Sequence, residues 1–101
     1  MGEEYTYFDL AISMEPVGVI TKEDDLSSVV TITNSSTKTL KLWFQVEEQA
    51  VRYTICGTDP TTSLGMLLGA TEWNVISVPV GNSVKFLETT SGAILQYYWL
   101  D

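Results

Sequence analysis

Thr39-Leu40-Lys41-Leu42-Trp43-Phe44-Gln45-Val46-Glu47 alternates without a break between apolar and polar or amphipathic side chains. Successive side chains of a β-strand point to opposite faces, so period-two alternation is the mark of a half-buried strand. The pattern turns Leu40, Leu42, Phe44 and Val46 inward and Lys41, Trp43, Gln45 and Glu47 outward. A helix would scatter these residues around its axis. The stretch therefore predicts a sheet protein, and it sets the reading of the segments on either side.

Toward the C-terminus, Glu48-Gln49 turns the chain into a second alternating run, Ala50 to Cys56, with Val51, Tyr53 and Ile55 on one face. Gly57-Thr58-Asp59-Pro60-Thr61-Thr62 has loop composition. Gly65 to Gly69 is apolar but too short for a stable helix, and reads as a short strand or tucked loop. Asn74–Val78, Val84–Glu88 and Ala93–Leu100 read as strands, with Pro79 ending the first or marking a sheet edge. Toward the N-terminus, Asn34-Ser35-Ser36-Thr37 reads as a polar hairpin-type loop, in which Asn34 can accept a left-handed backbone. Ser27 to Thr33 is a strand with Val30 and Ile32 on one side, and Lys22-Glu23-Asp24-Asp25 a charged loop. A short strand lies around Val19-Ile20-Thr21, Glu15-Pro16-Val17-Gly18 is a turn, and Thr6 to Ser13 is a strand. About eight or nine short strands joined by short turns predict an all-β fold, an antiparallel β-sandwich of jelly-roll or immunoglobulin-like type. Residues 1–101 read as a single domain, with no internal repeat and no linker.

Composition narrows the function classes. Thirteen acidic and five basic side chains leave a net charge of −8, which disfavours binding to phosphate backbones or anionic membrane surfaces. No run approaches the roughly 20 apolar residues of a membrane-spanning helix. The acidic start Met1-Gly2-Glu3-Glu4 does not read as a secretion signal, and one cysteine allows no internal disulfide, which points to assembly in a reducing compartment. Met1 to Thr6 fits a myristoylation pattern and Asn34-Ser35-Ser36 a glycosylation acceptor, both short enough to arise by chance.

The chain contains no histidine, the commonest general base and a common metal ligand. Cys56 thus has no histidine to activate it, and no phosphate-binding glycine loop or nucleophile elbow occurs. Glu23-Asp24-Asp25 lacks the spacing of a calcium loop, and Glu47-Glu48 reads as a wet strand end. No catalytic residue, cofactor or metal ligand is expected, so the sequence predicts a protein that binds or assembles. A surface for doing so is suggested by the last strand. If Leu95, Tyr97 and Trp99 face the core, the other side presents Ile94, Tyr98 and Leu100 with only Gln96 polar. A strand with one wet face should be polar there. Trp43 likewise sits on the polar side of its own strand. Trp43, Ile94, Tyr98 and Leu100 are therefore the candidate interface, in a homo-oligomer or against another protein.

Val51-Arg52-Tyr53-Thr54, the Gly57-Thr58-Asp59-Pro60-Thr61 loop, Gly65 to Leu68, Ser83 to Phe86 and the aromatic strand Ala93 to Trp99 resemble a group of small virion structural proteins of tailed bacteriophages and prophages. The resemblance covers about the C-terminal half of the chain. It implies a β-sandwich that decorates and cements a capsid, often as a trimer, with the major capsid protein or other virion proteins as partners. A head–tail or tail component is the neighbouring reading. The implied location is the virion, after assembly in the host cytoplasm. The same loop is also similar to small immunoglobulin-like accessory domains of bacterial chitin- and hexosamine-degrading enzymes, although Cys56 stands where those carry an acidic residue. That second resemblance implies a carbohydrate-binding or accessory module in which Trp43, Trp73 or Trp99 stacks on sugar. Trp43, flanked by Lys41 and Gln45, is the one tryptophan whose sequence neighbours suit that role.

Overall fold

The computed structural model describes residues 15–55 and 57–101. Cys56, the strand expected over Thr6 to Ser13 and the myristoylation pattern lie outside the described residues. Eight strands run through the remainder: β1 (Pro16–Glu23), β2 (Val30–Thr33), β3 (Leu40–Glu47), β4 (Val51–Ile55), β5 (Met66–Leu68), β6 (Trp73–Val78), β7 (Ser83–Glu88) and β8 (Ile94–Leu100). They form two antiparallel four-stranded sheets, ordered β1-β8-β3-β6 and β2-β7-β4-β5. The first strand pairs with the eighth, the second with the seventh, the third with the sixth and the fourth with the fifth. This is one long hairpin rolled up on itself, and rolling adds the β3–β8 and β4–β7 pairings. The order is that of a jelly roll, which decides between the two sandwich types the sequence left open.

Alternation decides which side of each strand meets the core. Leu42, Phe44 and Val46 of β3 and Leu95 of β8 face Val51 and Tyr53 of β4 and Val84 and Phe86 of β7, all of them buried. Phe44 sits at the centre, its ring 5.1 Å from both Tyr53 and Phe86 in edge-to-face packing. Ile55 shares the parity of Val51 and Tyr53 but lies beyond the rim of the core, and it is exposed.

The N-terminal strand differs from the sequence expectation. Glu15 to Gly18 is not a turn, and Lys22-Glu23 is not loop, because β1 runs from Pro16 through Glu23. β1 is an edge strand whose first residue is Pro16, where a missing N–H costs no ladder bond. Between the pairs Val17–Trp99 and Thr21–Tyr97, three residues of β1 stand opposite the single Tyr98. Gly18, at φ 83°, makes this bulge possible. The glycine that looked like a turn is a bulge within a strand. Conversely, Ser27 and Ser28 are not part of β2: Asp25 Oδ1 accepts from the Ser27 N–H (3.2 Å) and hydroxyl (2.6 Å) and holds a bend there.

The loop after β4 lies back on its own sheet. Lys85 Nζ donates to the Gly57 carbonyl (3.1 Å) and Asp59 (2.7 Å), the Thr54 hydroxyl donates to the Thr58 carbonyl, and Arg52 Nη1 donates to the Gly65 carbonyl (3.0 Å). Gly65 adopts φ 124°, and a Cβ there would stand 3.1 Å from the Tyr53 carbonyl oxygen and 3.2 Å from Arg52 Cβ. Gly65→Ala is therefore expected to cost about 1–3 kcal/mol of unfolding free energy, measurable by urea denaturation.

Candidate functional site

The outward face of the β1-β8-β3-β6 sheet carries the aromatic residues that the sequence left unexplained. Strand register brings them together. On β8, Tyr98 stands opposite Trp43, Gln96 opposite Gln45, Ile94 opposite Glu47 and Leu100 opposite Lys41. On β6, Trp73 stands opposite Gln45 and so lies diagonal to Trp43, a distance long side chains bridge. The Trp43 and Tyr98 rings stack at 5.8 Å and 28°, and Trp73 meets Trp43 edge-on at 6.3 Å. The bulge in β1 sets Ile20 beside them. Ile20, Trp43, Gln45, Trp73, Gln96, Tyr97 and Tyr98 line a cleft of about 90 Å³. Enclosed small-molecule sites usually span roughly 300–1,000 Å³. The cleft is thus a seat for one ring or one side chain and does not surround a whole ligand.

Polar groups are set around the rings. Gln96 Nε2 donates to Glu47 Oε1 at 2.8 Å, and Gln45 Nε2 reaches the Thr71 carbonyl at 3.5 Å. No lysine or arginine lines the cleft.

The four residues of the candidate interface do not form one patch. Trp43 and Tyr98 are in contact. Ile94 is half-buried beside Glu47, with Gln96 between it and Tyr98 along the strand. Leu100 is 1% exposed and is not available to a partner as a surface residue, although its alternation points it outward. Trp73 lies in the same cleft as Trp43. It is 36% exposed, whereas Trp99 turns inward and packs on the core. Nothing local to Glu72-Trp73-Asn74 signals this placement; it follows from the pairing of β6 with β3.

Tyr97, which packs against the core, has a phenol whose pKa is raised, chiefly by burial. A hydrogen bond with Thr21 pulls the other way, and the nearby Glu23 carboxylate adds to the rise. Ionising the phenol is harder in the folded chain than in the unfolded one. Its contribution to stability is complete below the unfolded value, about 10, and is lost as pH rises through the higher folded value. Unfolding free energy measured across alkaline pH is expected to fall above about pH 10, and part of that fall should be missing in Tyr97→Phe. Asp25 shifts oppositely: hydrogen bonds from the Ser27 side chain and then its backbone lower its pKa.

Among the described residues, no three His, Cys, Asp or Glu side chains gather in a way that would hold a metal ion, and no helix is long and apolar enough to cross a membrane. Compared with models of protein families, with characterised proteins and with solved structures, the chain matches none significantly.

Proposed function

We propose that this chain is a non-catalytic structural protein of a tailed-phage virion, a decoration protein that seats on the capsid shell and cements it. The observation that carries the reading is an apolar sheet edge exposed among the described residues. Met66 and Leu67 of the edge strand β5, and Leu64 just before it, are 65, 57 and 52% exposed, and among the described residues β5 has no second neighbour in the β2-β7-β4-β5 sheet. Natural proteins usually blunt such an edge with charge or cover it, since it presents apolar side chains together with unpaired backbone groups. An edge left apolar suits a protein that is buried against a larger surface. With a net charge of −8, like-charged copies repel, so contacts to the shell and between copies need apolar area of this kind. Small contacts repeated over a symmetric shell then add through multivalency. The jelly-roll order is in keeping with the reading, since viral shell proteins use that architecture, although one fold serves many functions.

Co-sedimentation tests the attachment. Purified protein added to particles that lack it is expected to pellet with them, and a Met66→Asp, Leu67→Asp double variant is expected to stay in the supernatant. The variant's near-native thermal transition would show that it is folded. Wild type that remains in the supernatant would contradict the reading.

A further inference from the structure

We propose that the cleft on the β1-β8-β3-β6 sheet binds one neutral hexopyranose ring of an oligosaccharide. The inference does not depend on a place in a virion, only on the domain being a binding module. Its basis is the combination of groups that register assembles there. Trp43, Trp73 and Tyr98 give a wall of aromatic surface, with two rings stacked and the third set edge-on. A pyranose has one or both faces made of C–H groups, which pack on aromatic surface as other apolar groups do. Its rim is a ring of hydroxyls, each both donor and acceptor. Gln45 and Gln96 stand on the same face, and a primary amide offers both donors and an acceptor, matching a hydroxyl of either sense.

Size and charge narrow the class. A half-open cleft of about 90 Å³ takes one face of a single ring and leaves the rest of the sugar in solvent. With no cation in the lining, Glu47 bonded to Gln96, and a net charge of −8, a carboxylated or sulfated sugar would meet repulsion and no counter-charge. A proline side chain is the competing occupant, since proline-rich peptides dock on aromatic grooves. Gln96 already donates to Glu47 and Gln45 to the Thr71 carbonyl, and a proline would leave the remaining N–H and carbonyl of each amide facing apolar groups and stripped of water, which is unfavourable. A sugar hydroxyl satisfies them.

The test titrates the purified chain with neutral cello-, malto-, manno- and chito-oligosaccharides and, separately, with oligoproline, following tryptophan fluorescence and the indole N–H signals by NMR. The expected result is a saturable shift of the Trp43 and Trp73 signals with at least one of the sugars. Trp73→Ala should weaken that binding about tenfold or more, and Gln45→Ala about threefold to tenfold. Both residues are at the surface, and unchanged thermal transitions would show that the variants fold. The proposal is overturned if no sugar shifts the indole signals, if binding persists unchanged in both variants, or if oligoproline occupies the cleft and the sugars do not.

Discussion

Phe44→Ala is expected to lower the unfolding free energy by about 3–5 kcal/mol. Phe44 lies on the central strand β3 with no exposed surface, at the point where the two sheets are joined by aromatic rings. Its ring touches Tyr53 and Phe86, which lie on the facing strands β4 and β7, both at 5.1 Å. Truncation removes the transfer free energy of the ring and leaves a cavity between two sheets that are each tied by their own ladders and cannot simply close. Single domains are usually stable by only about 5–15 kcal/mol, so the variant should lose a large part of its margin. The melting temperature should drop by about 15–25 °C. Urea denaturation with an unchanged slope is the check, and a loss below about 1 kcal/mol would mean that the core does not close around Phe44 as described.

Asn34→Leu is the second large effect, expected at about 2–4 kcal/mol, because it strips partners from buried polar groups. Asn34 is the one buried polar side chain among the described residues, and its amide ties two turns together. Nδ2 donates to the carbonyls of Lys38 (2.9 Å) and Val78 (2.8 Å), while Oδ1 accepts from the Ser36 N–H (2.9 Å) and hydroxyl (2.6 Å). Its main chain adds bonds to Asn82 and Gly81 of the β6–β7 turn, both at 2.9 Å. Leucine fills similar space and supplies none of these bonds. Asn34→Asp should also be strongly destabilising, since it keeps the shape but turns the donor into an acceptor facing two carbonyl oxygens. Equilibrium unfolding of both variants checks the claim, which fails if Asn34→Leu costs less than about 0.5 kcal/mol, the spread of ordinary surface substitutions.

Asn34 also shows where sequence reading stops. The loop over residues 34–37 was legible, but not that Asn34 is its buried centre with an ordinary negative φ, because its partner Val78 lies far along the chain. The buried amide also explains why the Asn34-Ser35-Ser36 pattern does not mark an accessible acceptor. By contrast, β3 was readable to the residue, since a strand with one wet face encodes its own orientation. β1 was not: a bulge and an edge proline imitate a turn in sequence. The same divide runs through the cleft. Trp43 and Tyr98 each break the alternation of their own strand, which the sequence shows, while Ile20 and Trp73 join them only through the β1 bulge and the β3–β6 register. Leu100 broke its pattern as clearly as Tyr98, yet it is buried, so apolar surplus alone does not mark an accessible surface.

Electron microscopy of particles of the kind the proposal implies, produced with and without this gene product, tests the proposed role most directly. The account predicts lattice-ordered density on the capsid exterior, fitted by this jelly roll with its Leu64–Leu67 edge against the shell, that disappears without the gene product as the particles become easier to disrupt. Particles that keep the same density map and the same stability without it would contradict the account.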